Sequence, residues 1–337
     1  MANNNEEIFK NVISHAKEYG FIFQSSEIYD GLSAVYDYGQ LGAELKNNIK
    51  TYWWKAMVQM HENIVGIDSA IFMHPKVWKA SGHVDGFNDP MIDNKDSKKR
   101  YRADQLIEDK ITAYDAEGEK QKAESLQIEM DNALKSEDLP RLKALIEEHN
   151  IQCPISKTAN WTDVRQFNLM FSTQFGAMAE GSEEVYLRPE TAQGIFVNFL
   201  NVQKSGRMKV PFGIAQIGKA FRNEVIARQF IMRMREFEQM EMQFFVRPGT
   251  EMEWYNKWKE TRLKWHLALG TSPAKYKYHD HAKLAHYANA AVDIEYEFPF
   301  GFKEVEGIHS RTDFDLKQHQ EFSNKKMQYF DAEVDPA

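Results

Sequence analysis

Two short segments concentrate charge where paired strands are usually apolar. Phe221-Arg222-Asn223-Glu224 is followed by Arg235-Glu236-Phe237-Glu238-Gln239-Met240-Glu241. They read as two antiparallel strands, about 212–224 and 233–246, joined by a loop. Side chains alternate faces along a strand. Arg222 and Glu224 therefore share a face of the first strand. Arg235, Phe237, Gln239 and Glu241 share a face of the second, with Met240, Met242 and Phe244 opposite. A guanidinium binds phosphate bidentately. A phenyl ring offers a stacking plane, and carboxylates accept hydrogen bonds from amines. The set suits a ligand with phosphates, a flat base and an amine. The alternative is the solvated outer face of an ordinary hairpin, which is normally polar.

Other chemistry is thinner. The sequence contains neither Gly-x-x-x-x-Gly-Lys-Ser/Thr nor Gly-x-Gly-x-x-Gly, so no loop of those kinds cradles a phosphate. His279, Asp280, His281 and His286 invite a metal reading. Two of the histidines stand only two positions apart at an expected helix start, and no cysteine accompanies them, so zinc is disfavoured. His83 and His309 read as hydrogen-bonding residues rather than ligands.

The elements that must hold these residues follow from periodicity. Residues 6–19 and 41–61 have helical spacing, with a strand-like Phe21-Ile22-Phe23 between them. Residues 62–92 hold short apolar runs broken by His74-Pro75, Ser81-Gly82 and Asp89-Pro90. From about 93 to 150 the chain is charged and glycine-poor. Leu134, Leu139, Leu142, Leu145 and Ile146 recur at helical spacing there, with Pro140 at a helix start. Strands return at 167–171 and 184–187, then a helix at about 190–203 and another over 251–266. Residues 281–291 read as a short helix and 292–316 as strand–turn–strand about Pro299 and Gly301. Arg311, Asp313 and Asp315 alternate on the last strand. The expected fold is mixed α/β (α+β): an antiparallel sheet flanked by helices, with a helical insertion.

The 337 residues exceed the usual size of one compact core. Apolar residues make up 42%, enough for a sizeable interior, and the net charge of −8 argues against non-specific nucleic-acid binding while leaving room for a local basic patch. One cysteine, Cys153, excludes an intrachain disulfide and fits a reducing compartment. No stretch approaches the ~18 consecutive apolar residues of a membrane helix, and the N-terminus has no signal pattern. Cytoplasmic location is the expectation.

Arg222-Asn223-Glu224 with Arg235-Glu236-Phe237 resembles the second signature motif of class II aminoacyl-tRNA synthetases. Three further runs resemble the glycyl-tRNA synthetases among them. They are Ser81-Gly82-His83, Leu187-Arg188-Pro189-Glu190-Thr191-Ala192-Gln193-Gly194, and Lys303-Glu304-Val305-Glu306-Gly307-Ile308-His309-Ser310-Arg311-Thr312-Asp313-Phe314-Asp315-Leu316. Tyr36-Asp37-Tyr38-Gly39-Gln40-Leu41-Gly42 is also similar. The likeness covers nearly the whole chain in family order.

The resemblance implies ligation of glycine to tRNA(Gly) at the expense of ATP, with Mg2+, in a homodimer without a membrane partner. It implies an ATP site made by Arg222, Asn223, Glu224, Met232, Arg233, Met234, Arg235, Glu236, Phe237, Glu304 and Val305. Within it Arg222 contacts the α-phosphate, Glu224 accepts from the adenine amine and Phe237 stacks on the base. Arg235 lies near the terminal phosphates, and Arg222 and Arg235 are the catalytic pair. Arg228 belongs to a loop that covers the nucleotide. Glu304 acts through Mg2+. Glycine falls to Arg102, Glu190, Phe237, Glu238, Gln239, Met240 and Glu241, with Glu190 and Glu241 on the ammonium and Arg102 toward the carboxylate. From the residues alone, Glu190 could equally stabilise a helix N-terminus after Pro189, and Arg102 could be a solvated charge.

Two departures stand out. Gln40 replaces the family's usual proline. The family's third motif and its anticodon-binding domain are not found after Leu316. The expectation is therefore a catalytic domain over 1–92 and 151–337 that lacks the third motif, with 93–150 inserted, and with impaired activity on its own. The alternative is a non-catalytic, synthetase-like accessory protein that binds nucleic acid.

Overall fold

The computed structural model describes residues 2–176, 183–225, 229–281, 284, 285 and 287–331. In chain order the elements are α1 (Ala2–Glu18), β1 (Ile22–Gln24), β2 (Tyr36–Tyr38), α2 (Gln40–Trp54), β3 (Ile64–Gly66), α3 (Pro75–Ala80), α4 (His83–Gly86), β4 (Asn88–Asn94), β5 (Lys99–Arg102), α5 (Ala103–Ala116), α6 (Lys120–Lys135), α7 (Leu139–Glu148), β6 (Arg165–Asn168), β7 (Ser172–Phe175), β8 (Glu183–Tyr186), α8 (Ala192–Val197), α9 (Phe199–Gly206), β9 (Phe212–Phe221), β10 (Glu236–Phe245), α10 (Glu251–Leu267), β11 (Tyr276–Asp280), β12 (Ala288–Phe298), β13 (Gly301–Arg311) and α11 (Phe314–Ser323). The fold is α+β. Among the described residues every strand pair is antiparallel except β3 with β9. The chain divides into two compact units, Met1–His83 with Phe171–Arg222 and Ala227–Ala337, and Val84–Met170 with Asn223–Ile226.

The first unit holds two three-stranded sheets, ordered β10-β9-β3 and β11-β12-β13. The β9–β10 hairpin pairs from Phe212↔Phe245 to Phe221↔Glu236. Its alternation turns Met240, Met242 and Phe244 onto an apolar cluster with Trp53 and Met57 from α2 and the turn after it, Ile64 of β3 and Trp265 of α10. Burying each such side chain contributes on the order of 1.5–3 kcal/mol. In the second sheet Val292, Ile294 and Ile308 face Tyr255 of α10. On that same side Glu306 is bound by Arg262 (2.6 Å) and His266 (2.8 Å) of α10. The opposite face, polar and histidine-rich, is the one that matters for chemistry.

The second unit packs α5, α6 and α7 with the sheet β5-β4-β6. Leu142, Leu145 and Ile146 of α7 join Ile107, Leu126, Met130 and Trp161 in its core. Asp138 accepts from the Arg141 N–H at 2.9 Å, capping α7, and Pro140 sits in its first turn. Cys153 is buried and unpaired to any other cysteine. The unit reaches beyond the 93–150 segment that composition marks, because its central strand β4 and edge strand β6 begin or lie outside that segment and lack its run of charge.

Three expectations need correction. Residues 288–291, expected at the end of a helix, are strand instead: β12 begins at Ala288, and its alanines pair with β13. Helix propensity there is overridden by strand pairing and burial. Asp313 and Asp315 are not on a strand. Asp313 precedes α11, and Asp315 is buried in its first turn. The hairpin strands are shorter than expected. Arg222 and Arg235 stand one residue beyond the paired strands, where the Arg222 N–H bonds the Arg235 carbonyl at 2.9 Å. Asn223, Glu224 and Met232-Arg233-Met234 fall outside the strands, with Phe230–Met232 a 3-10 turn.

Candidate active site

A cavity of about 660 Å³ opens in the first unit between β10 and β13. Glu190, Arg222, Gln239, Glu241, Glu304 and Arg311 are among its lining residues. Each reaches it by a different local device.

Glu190 lies in the turn before α8. Its carboxylate accepts from Gln193 Nε2 at 3.0 Å and lies 3.5 Å from His83 Nε2. The Ser81 hydroxyl and His83 Nδ1 share a 2.8 Å hydrogen bond that fixes the ring. Glu241 comes from the middle of β10. It accepts from the Thr191 hydroxyl (2.5 Å) and from Gln243 Nε2 (2.7 Å). Gln239, on the same face, accepts from the Thr191 N–H at 3.1 Å. Thr191 thus ties the Glu190 turn to the strand that carries Glu241.

The two carboxylates titrate in opposite directions. Burial raises Glu190, but its hydrogen bond to His83, the His83 charge, Gln193 and Arg311 outweigh that and hold it low. Burial and then the charge of Glu190 push Glu241 up to about 7. Arg311 does not cancel the pair. It bonds Asp315 at 2.7 Å and stacks over Tyr287 at 4.0 Å. Asp315 is fixed in turn by Gln193 Nε2 at 3.0 Å, and Gln193 Oε1 is 2.8 Å from His319. Three carboxylates face Arg311 and His83, so ionising Glu241 leaves a negative charge for a small cation such as an ammonium.

The other side of the cavity suits a phosphate-bearing ligand. Arg222 Nε donates to the Pro189 carbonyl at 3.1 Å, and its guanidinium lies 5.4 Å from the centre of the Phe237 ring. Glu304 owes its position to an irregularity. Asp293 pairs with Gly307, but the register shifts at Ile294/Glu295, so Glu295 pairs with Glu304. The bulge moves Glu304 onto the face of Asp293, Gly307, His309 and Arg311. Desolvation by neighbouring protein atoms and the Asp293 charge raise the Glu304 carboxyl, and His281 and Arg222 oppose this.

Of the remaining expected site residues, Glu238, Met240 and Val305 also border the cavity, and the others lie apart from it. Glu238 lies on the opposite face of β10 and pairs with Lys46 (2.6 Å) and Lys50 (3.1 Å) of α2. Met240 packs in the core on that face. Glu236 pairs with Lys219. Arg235 is fastened to the N-terminal segment, with its N–H on Ala34 O (2.8 Å) and its guanidinium on Ser33 O (3.0 Å). Met232 and Met234 are half-buried, while Arg233 and Val305 are exposed. Arg102, Asn223 and Glu224 belong to the second unit. Arg102 there bonds Asp104 (2.5 Å) and Asp89 (3.2 Å), and the Asn223 N–H bonds Leu169 O at 2.8 Å. Arg228 and His286 lie outside the described residues. His279 pairs with Glu295 at 2.9 Å and Asp280 with Lys259 at 3.2 Å, so these two do not form the metal set first considered.

A profile described as the tRNA synthetase class II core domain (G, H, P, S and T) matches residues 171–328. The profile of glycyl-tRNA synthetase insertion domain 1 matches residues 89–125 and 118–169. The protein named Glycine--tRNA ligase of Chlorobaculum tepidum is 58% identical over 322 residues, covering 95% of this chain and 68% of that protein. The protein of the same name from Staphylococcus aureus is 53% identical over 326 residues, covering 96% of this chain and 68% of that protein. The chain belongs to the glycyl-tRNA synthetase family. The class II core is present, and the accessory-protein alternative is not favoured.

Within this family member, sequence reasoning missed the supports: His83 beside Glu190, Thr191 and Gln243 on Glu241, and Asp315 on Arg311. Thr191 and Gln193 directly follow Glu190 in the Arg-Pro-Glu-Thr-Ala-Gln-Gly run, which was the available signal. The bulge before Glu295 had none.

Proposed function

We propose that the chain activates glycine with ATP to glycyl-adenylate and transfers the glycyl group to tRNA(Gly). The observation that carries this is the under-neutralised pair Glu190 and Glu241 in the same cavity as Arg222 and Glu304. The pair would hold the glycine ammonium, and the tied turn at Thr191 would resist a larger side chain. A glycine carboxylate oxygen then attacks the α-phosphorus, and the bond to the pyrophosphate oxygen breaks. No side-chain nucleophile is needed. Arg222 would neutralise charge on the α-phosphate while Phe237 positions the adenine, so catalysis is orientation plus fixed positive charge.

Mg2+ fits the carboxylate oxygens of Glu304, whose ionised form burial and the neighbouring Asp293 charge disfavour until a cation is bound. When bound, it would neutralise phosphate oxygens beside Glu304. A homodimer and a cytoplasmic location belong to the same proposal and rest on the resemblance. No helix of the described residues is long and apolar enough to cross a membrane.

ATP–pyrophosphate exchange with a panel of amino acids tests the reading. Glycine should support exchange, with alanine and serine far behind. Exchange driven equally by larger amino acids would overturn it.

A further inference from the structure

We propose that His281, Asp293 and His309 bind a borderline divalent cation of the Zn2+ or Co2+ kind on the polar face of the β11-β12-β13 sheet. The donor atoms of these three side chains all lie within 4.8 Å of one another. Strand pairing puts them there. The His281 N–H bonds Ala291 O at 3.1 Å, and Ala291 pairs with His309. The two histidines therefore flank a small alanine on adjacent strands. Asp293 is the next residue along the same face of β12.

Opposite Asp293 stands Gly307. A Cβ at that position would lie 3.2 Å from His309 Nε2, 3.2 Å from Glu304 Oε1 and 3.5 Å from Asp293 Oδ1. The missing side chain leaves a space on which two carboxylates and an imidazole converge, with His281 Nε2 2.9 Å from Asp293 Oδ2 on its rim. Two imidazole nitrogens and a carboxylate select a borderline transition ion over Mg2+, which prefers an all-oxygen shell. Binding through His281 Nε2 would replace the His281–Asp293 hydrogen bond by two metal–ligand bonds, the neutral imidazole carrying its proton on Nδ1. The ion would place fixed positive charge on a face that carries Asp293, Glu295 and Glu304. The inference goes beyond glycine activation and needs no ATP, glycine or tRNA, so it stands or fails separately.

The test is Co2+ titration of the chelator-treated full 337-residue chain, followed by visible absorption, with Zn2+ competition and a Mg2+ control. The expected result is one equivalent of Co2+, displaced by Zn2+ but not by Mg2+. His309→Ala should weaken binding by at least about tenfold, the lower end of what even outer-sphere changes cost a metal site. His279→Ala, outside the set, should leave binding unchanged. Thermal melts then separate binding from folding. Zn2+ should raise the melting temperature of the wild type but not that of folded His309→Ala. No Co2+ band, or equal binding in His309→Ala and the wild type, would overturn the proposal. Binding lost in His279→Ala but kept in His309→Ala would overturn it too, by moving the ion to the His279–Glu295 pair.

Discussion

Glu190 and Glu241 face one cavity from different elements, and the protein keeps one ionised while pushing the other toward its neutral form. The hydrogen bond to His83, with Gln193 and Arg311, stabilises charge on Glu190. Glu241 has only Thr191, Gln243 and a distant share of Arg311 against burial and its neighbour's charge.

A pH dependence follows. Glu241 titrates near 7 in the folded chain and at 4.5 ordinarily. An ammonium partner requires the ionised form. Glycine affinity should therefore rise with pH up to about 7 and level off above it. The linked stability has the opposite sign. Between the two values the folded state holds a proton that the unfolded chain has released, so ligand-free stability falls as pH rises across that window. Calorimetric titration with glycine and thermal melts over the same pH range check both slopes, and Glu241→Gln should flatten each.

Arg222→Ala should abolish adenylate formation in a folded protein. Removing a fixed positive group from a developing phosphate charge costs on the order of 3–4 kcal/mol in the transition state, about 10²–10³ in rate. Circular dichroism establishes the fold, and exchange kinetics read the loss. Near-normal exchange would reduce Arg222 to its hydrogen bond with Pro189.

Asp315→Asn should release Arg311 toward the two glutamates. The arginine would then neutralise the pocket that the ammonium needs. Glycine affinity should drop several-fold, and the pH midpoint for glycine binding should move below 7. A purely structural Asp315 would lower stability and leave that midpoint in place.

Gly218→Ala should destabilise the fold by crowding Arg188. A Cβ there would sit 2.2 Å from an Arg188 guanidinium nitrogen. Arg188 is 2% exposed and bonds Lys219 O at 2.6 Å and Ser69 O at 2.8 Å, so it has no room to yield. The expected cost is about 1–3 kcal/mol of unfolding free energy, read by urea denaturation.

Alternation along β10 made much of the site legible. It placed Gln239 and Glu241 on one face and Met240 on the other, and the structure keeps that division. It also implies that Glu238 points away from Glu241, toward Lys46 and Lys50. The resemblance supplied Glu190, which from sequence alone could have been a helix-terminal carboxylate. What stayed hidden depends on register between distant strands. The bulge that aims Glu304 and the gap at Gly307 exist only once β12 and β13 are paired. The alanine-rich stretch before Val292 has local helix propensity that pairing with β13 overrides. His83 is joined to Glu190 by folding alone.

The most direct measurement is the affinity of Glu241→Gln for glycine and for ATP, determined on the same folded preparation. The substitution removes one ammonium partner and leaves Arg222, Phe237 and Glu304 unchanged. Glycine binding should weaken ~10- to 100-fold, as expected for loss of a charged hydrogen-bond partner, while ATP affinity stays within about twofold. Equal loss for both ligands, or glycine affinity unchanged, would contradict the assignment of this carboxylate pair to the glycine ammonium.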